Sequence, residues 1–377
     1  MNPCLRFKDF KEDWKYDLFN ELVTNKSKKF NPQIEDPTKD IELDSIEQNT
    51  GRILNTYMSN QFTSQKNSFN KGNVLYSKLR PYLNKYYYSQ IDGVCSSEIW
   101  VLNTLNKKSL SNKFLYYFIQ TNRFSSVANK SVGSKMPRAD WELVKNIRLY
   151  KGSIEEQEKI GDFFSKLDRQ IELEEEKLEL LEQQKRGYMQ KIFSQQLKFK
   201  DENGNDYPDW EETTLKNITN YISSKKSSNQ YNESNNSKGY PVYDAIQEIG
   251  KDLQYDMEEP YISILKDGAG AGRLNLRAGK SSVIGTMGYI QANNVDIQFL
   301  YYRMKLLNFR KFIIGSTIPH LYYKDYSKEK ILIPTSNDEQ KKIGHFILNI
   351  DKLIDNKTLK LDYLKQRKQG LLQRMFI

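Results

Sequence analysis

The chain has 377 residues, 38% of them apolar, and 58 Lys and Arg against 48 Asp and Glu give a net charge of +10. That length accommodates two domains with a core each, and no apolar run approaches the ~18 residues of a membrane span. Two distant cysteines, Cys4 and Cys95, argue against a disulfide framework and a cysteine-rich zinc site. The positive excess favours a polyanionic partner, nucleic acid above all. The opening MNPCLRFKDFKEDW lacks the apolar core of a signal peptide, so a cytosolic protein is expected.

In chain order, Phe7-Lys8-Asp9 and Asp13-Trp14 come first. The stretch KGNVLYSKLRPYLNKYYYSQIDGVCSSEIWVL, residues 71–102, alternates apolar and polar residues and predicts strands. Phe114-Leu115-Tyr116-Tyr117 predicts a helix over roughly 112–125, and Gly133-Ser134-Lys135-Met136-Pro137 predicts a loop. EEQEKIGDFFSKLD, residues 155–168, opens a long helix. Apart from the strand stretch, these anchors then return in the same order. Phe199-Lys200-Asp201 and Asp209-Trp210 repeat the start, and Phe299-Leu300-Tyr301-Tyr302 repeats the helix, here over roughly 296–312. Gly315-Ser316-Thr317-Ile318-Pro319 repeats the loop, and DEQKKIGHFILNID, residues 338–351, repeats the opening of the long helix. The chain is a tandem duplication. Its middles diverge: residues 261–290, YISILKDGAGAGRLNLRAGKSSVIGTMGYI, are richer in glycine than their counterpart.

The two long helices carry apolar residues at alternating four- and three-residue steps. The first seam is Ile160, Phe164, Leu167, Ile171, Leu178, Leu181, Tyr188 and Ile192, with Glu174 and Lys185 in its gaps. The second is Ile343, Ile347, Ile350, Ile354, Leu361, Leu364, Leu371 and Met375, with Lys357 and Lys368 in the gaps. Such heptads predict a coiled-coil partner, and two matching seams predict that the helices pair with each other. The expected fold is mixed α+β: two tandem α/β domains, each followed by a long helix, the helices forming an antiparallel coiled coil with pseudo-twofold symmetry. The expected boundaries are 1–150 and 196–335 for the domains, 151–195 and 336–377 for the helices. A spacer of about 32 helical residues would extend ~48 Å, a reach suited to two separated DNA segments.

No catalytic constellation is legible. Ala278-Gly279-Lys280-Ser281 resembles the end of a phosphate-binding loop, but that motif needs glycine where Leu274 stands. Gly268-Ala269-Gly270-Ala271-Gly272 reads as a turn between strands, and the two histidines, His320 and His345, have no partners at metal-ligand spacing. The nominated nucleic-acid contacts are therefore the basic and polar residues of the middles and loops. They are Lys78, Arg80, Lys85, Ser134, Lys135 and Arg138 in the first repeat. In the second they are Lys266, Arg273, Arg277, Lys280, Ser316, His320 and Lys324. Some would meet phosphate and a few would read base edges. Of Tyr86, Tyr87 and Tyr88, at least one is expected to pack rather than stack on a ligand.

Together, the EEQEKIGDFFSKLD and DEQKKIGHFILNID strings, LYSKLRPYLNK (75–85), both Gly-Ser-x-x-Pro loops and the tandem frame resemble the specificity (S) subunit of type I restriction–modification enzymes. The resemblance covers the whole chain. It implies two target recognition domains, each reading one part of a split double-stranded DNA site, and no catalytic site on this chain. It also implies that the helices dock two modification (methyltransferase) subunits, through which restriction (helicase/nuclease) subunits join. S-adenosylmethionine, ATP and Mg would belong to those partners, with no cofactor here. Two other readings stay open at this level: an S-like subunit serving a fused restriction–methylation enzyme, and a coiled-coil structural adaptor.

Overall fold

The computed structural model describes residues 2–130, 135–231 and 238–377. It divides into two compact units, Met1–Glu176 with Leu359–Ile377, and Lys177–Thr358. Each unit thus holds one α/β domain and a half of each long helix.

In the first unit, Lys15–Leu18 pairs antiparallel with Arg148–Lys151, closing the domain just before the long helix begins. A four-stranded antiparallel sheet follows the order Val23–Thr24, Ile99–Thr104, Val74–Ser77, Tyr86–Tyr88. In the second unit Glu211–Thr214 pairs with Lys330–Ile333 in the same role. The order Thr219–Ser223, Met287–Ala292, Tyr261–Leu265, Leu274–Arg277 reproduces the four-stranded sheet. The middles that diverge in sequence therefore supply equivalent strands. Real divergence lies in what is added. The first unit carries a five-stranded sheet in the order Lys29–Phe30, Lys66–Phe69, Gly93–Cys95, Lys39–Ile41, Tyr57–Met58. In the second unit a three-stranded sheet of Glu248–Asp252, Tyr240–Tyr243 and Ser282–Val283 occupies that place in the chain.

The helix expected over 112–125 is broken. It runs Asn112–Phe118, then restarts as Asn122–Ala128. Between them Thr121 is extended, and its hydroxyl donates to the Phe118 carbonyl at 2.7 Å. Its counterpart, Ile297–Lys305, also ends earlier than expected. The N-cap Asp296 explains its start: the carboxylate accepts from the backbone N–H groups of Gln298 and Phe299.

The long helices run Ile154–Phe193 and Asn337–Met375, with Glu155, Glu156, Asp338 and Glu339 in their first turns, where the helix dipole favours negative charge. Within the first unit Ile160, Phe164 and Leu167 share one core with Leu364, Leu372, Met375 and Phe376. Ion pairs fix the direction there: Asp168 meets Lys368 at 2.7 Å and Glu174 meets Lys360 at 2.8 Å, so rising numbers on one helix face falling numbers on the other. The pairing is antiparallel. In the second unit Met189 and Ile192 share a core with Ile343 and Ile347, and Lys185 pairs with Asp351. Leu361 is buried, while Ile171, Leu178, Leu181, Ile350 and Ile354 are half-buried. The seam corrects the heptad at the matching place in each helix, with Leu372 buried in the core rather than the expected Leu371. Met189 points inward and Tyr188 is 39% exposed, edge-on to Phe346, because an unsupercoiled helix drifts from a strict seven-residue repeat.

The repeated string acquires a physical reading in these units. Gln157 and Gln340 each bridge two chain segments with one amide. The Gln157 oxygen accepts from Ser111 N–H while its nitrogen donates to the carbonyls of Ser109 and Gly152. Gln340 does the same with Asp296 N–H and the Pro334 carbonyl. Glu156 and Glu339 accept the indole N–H of Trp14 and Trp210. The last Asp of each string accepts a buried tyrosine hydroxyl, Tyr117 to Asp168 at 2.9 Å and Tyr302 to Asp351 at 2.6 Å. The opposite helix supplies the lysine to each, Lys368 and Lys185. Within each unit the repeated string is a clamp joining domain to helices. Replacing Tyr117 by Phe should cost the first unit about 1–2 kcal/mol, the loss of a hydrogen bond to a charged acceptor, read as a drop in urea midpoint with an unchanged slope.

Candidate nucleic-acid interface

In each domain the loop that ends in proline folds back onto the end of a central strand, and the same four backbone bonds hold it there. In the first unit Ser77 N–H donates to Lys85 O, Lys78 N–H to Glu98 O, Ala139 N–H to Lys78 O, and Arg80 N–H to Pro137 O. In the second, Leu265 N–H donates to Arg273 O, Lys266 N–H to Thr286 O, Leu321 N–H to Lys266 O, and Gly268 N–H to Pro319 O. Isolated bridges Leu79↔Arg138 and Asp267↔His320 complete the correspondence. Lys78 thus matches Lys266, Lys85 matches Arg273, and Arg138 matches His320. Six residues nominated from sequence gather at one equivalent place in each domain, although the loop and the strand are far apart along the chain.

Their side chains differ in availability. Arg80 is exposed on a left-handed backbone (φ 51°), and Lys135, in the loop before Pro137, is exposed too. Ser134 lies outside the described residues. Arg138 meets Glu98 side-on, Nε to Oε2 at 2.9 Å and Nη2 to Oε1 at 3.1 Å. That contact holds the Glu98 carboxyl below its ordinary range. The Lys85 ammonium is turned inward onto the Leu43 carbonyl at 2.5 Å, so only its backbone belongs to the strand end. In the second unit Lys266 Nζ lies 2.9 Å from Asp267 Oδ2, and His320 Nδ1 lies 2.8 Å from Asp267 Oδ1. Burial works against the charged carboxylate, but these two partners outweigh it and Asp267 titrates below its usual range. Ser316 is exposed, as is Lys324, whose ammonium sits 5.4 Å over the Tyr322 ring.

Residues 268–272 form the hairpin turn between Tyr261–Leu265 and Leu274–Arg277, and all three of its glycines have φ near +90°. Arg273 projects from its end and is exposed. Arg277 is not comparable. Its guanidinium packs 4.1 Å over the Tyr243 ring and donates to the Asp244 carbonyl at 3.0 Å. Arg277→Ala should therefore lower stability by about 1–2 kcal/mol, whereas Arg273→Ala should leave the thermal midpoint in place and weaken duplex binding. Lys280 lies in a separate turn, 3.7 Å from Glu258. There a Cβ on Gly279 would fall 1.9 Å from the Glu258 carbonyl, which accounts for that glycine without any phosphate. Tyr86 packs in the core with its hydroxyl on the Asn49 carbonyl. Glu98 and Asp267 escaped the sequence reading because acidic residues do not announce themselves as part of a basic surface.

The architecture defines a duplicated α/β protein presenting one basic loop–strand junction per domain, joined by two antiparallel-paired helices. A model of the type I restriction modification DNA specificity domain matches residues 4–183 and again 207–366. The chain belongs to that family and carries its domain twice. It is 27% identical over 151 residues to the Escherichia coli type I restriction enzyme EcoDI specificity subunit, spanning 39% of this chain and a third (33%) of that subunit. It is 24% identical over 317 residues to the Methanocaldococcus jannaschii MjaVIII specificity subunit, 74% of this chain and 72% of that one. The fold is shared with the type I restriction–modification S subunit from M. genitalium, at a TM-score of 0.67 and 18% identity over 100% of this chain and 99% of that one. A chain of another type I R-M system covers 97% of this chain and 98% of its own at a TM-score of 0.57 and 16% identity. Among the described residues, no helix is long and apolar enough to cross a membrane.

Proposed function

We propose that this chain is the DNA-reading subunit of a type I restriction–modification complex, each domain recognising one half of a split double-stranded site. The observation that carries the reading is the matched pair of loop–strand junctions, built by identical backbone bonds around different side chains. Equal frames give both domains the same way of meeting a duplex, and unequal side chains give them different half-sites. The long helices dock two methyltransferase subunits, through which helicase/nuclease subunits join. Those partners bring S-adenosylmethionine, ATP and Mg, and the chain itself supplies recognition without catalysis. The complex works in the cytoplasm. Lys78, Arg80, Lys135, Lys266, Arg273, Ser316, His320 and Lys324 are the proposed DNA contacts, with Arg138 in a role developed below.

The test is the methylation motif. Cells carrying this chain and its methyltransferase partner should methylate adenines within a bipartite sequence. Exchanging residues 60–105 for the equivalent stretch of a relative should change one half of that motif and leave the other. A chimera that altered both halves together would sink the assignment of one domain to one half-site, and methyl transfer by the isolated chain would sink the non-catalytic reading.

A further inference from the structure

The two junctions share an ionic feature that their sequences do not. In the first unit the residue after the loop proline, Arg138, is held by Glu98; in the second, His320 is held by Asp267. These carboxylates do not occupy equivalent positions. The backbone bonds place Thr286 where Glu98 stands, and Asp267 where Leu79 stands. So each domain has placed a carboxylate against the post-proline residue from a different strand position, with an uncharged residue at the place the other domain uses. Half-exposed ion pairs contribute little to stability, so stability alone does not account for the same clamp being built from two different positions.

We propose that Glu98 and Asp267 are positioning residues for DNA discrimination, fixing Arg138 and His320 so that these act through directed hydrogen bonds rather than as loose positive charge. The inference rests on the proposed role in DNA recognition. A carboxylate at hydrogen-bond distance cancels most of a cation's attraction for phosphate, which is the sequence-independent part of binding. It also sets the plane of the guanidinium or imidazole, and base-edge recognition depends on direction where phosphate attraction does not. In the second unit Asp267 engages Lys266 as well, so one carboxylate positions both the ammonium and the imidazole.

The experiment uses the full chain assembled with its methyltransferase partner. Binding is measured over a range of salt to a duplex carrying the motif mapped from methylated adenines, and to duplexes with either half-site scrambled. For Glu98→Gln, discrimination at the first half-site should fall about tenfold, the scale of one well-made base contact. Affinity for scrambled duplex should rise, and the salt slope should steepen by about one. Discrimination at the second half-site should not change. Asp267→Asn should mirror this at the second half-site. The decisive arm moves each carboxylate to the other domain's position: Leu79→Asp should restore Glu98→Gln, and Thr286→Glu should restore Asp267→Asn. Thr286 is exposed, and Leu79 is partly buried but outside both core clusters of its unit, so neither addition disturbs a core. Unaltered discrimination in the single variants, beside a discriminating wild type, would overturn the clamp alone. Loss without rescue in either domain would reduce the residues to structural supports and overturn it too. A wild-type complex blind to both half-sites would overturn the recognition reading and this inference with it.

Discussion

Glu156→Gln will destabilise the first unit by about 3 kcal/mol, while Glu339→Gln at the matching position will leave the second unit unchanged or more stable at neutral pH. Both carboxylates are buried beneath a tryptophan at the start of a long helix. Glu156 is fully paired. Arg6 grips it side-on at 2.7 and 2.8 Å, and Trp14 Nε1 donates at 2.9 Å. Removing its charge strands a mostly buried guanidinium, and breaking one side of such a pair is costly. In the second repeat Lys198 stands before Phe199 where Arg6 stands before Phe7, and Glu339 Oε2 is buried with no hydrogen-bond partner among the described residues. Burial raises the Glu339 carboxyl above its ordinary range. The sign follows from linkage: the folded state holds this proton more tightly than the unfolded chain, so stability falls as pH rises from the unfolded carboxyl value to the raised folded one. Glu339→Gln should abolish that decline, and Glu156→Gln should not imitate it. Hydrogen exchange near Trp14 and Trp210, followed from pH 4 to 8, reads the two units separately. Equal losses in both variants would contradict the asymmetry.

Gly344→Ala will cost the second unit about 2–3 kcal/mol, whereas Gly161→Ala will be neutral or stabilising, though both glycines belong to the same repeated string. At Gly344 a Cβ would stand 2.8 Å from the Phe299 backbone nitrogen and 2.9 Å from Gln298 Cβ. Those atoms open the helix Ile297–Lys305, fixed by its Asp296 cap, so relief requires moving one helix against another. At Gly161 the obstruction is Lys113 Cγ and Cδ, at 2.8 and 2.9 Å. That side chain is one-third exposed and swings away, losing only a surface pair with Asp162. Alanine then gains up to about 1 kcal/mol of helix propensity. Thermal unfolding of the two variants decides the matter. A stable Gly344→Ala protein would mean that the close approach of domain and helix is looser than the structure has it.

The sequence alone determined the duplication, the mixed α+β class, the antiparallel-paired long helices and the basic character of the loops. Each of these is written in local terms: residues at helical spacing, turn signals, charge, and the same order of anchors met twice. Side-chain identity at one position is enough to read such features, because helix periodicity and turn chemistry act within a few residues. Even there, the break at Thr121 and the inward Met189 depended on bonds and drift that a periodic pattern does not encode. Only the tertiary structure decided which charged residues act together. Arg138 and Arg277 look alike in sequence, yet one sits at a junction with Glu98 and the other is spent on Tyr243 and Asp244. Lys85 reads as a surface cation until its ammonium is found on the Leu43 carbonyl. Glu98 and Asp267 carry no local signal at all; their meaning comes from the strand register that brings a distant proline loop to the end of a central strand. Burial and pairing are properties of three-dimensional neighbours. A chain can repeat its frame in plain view while building the same ionic clamp from different positions.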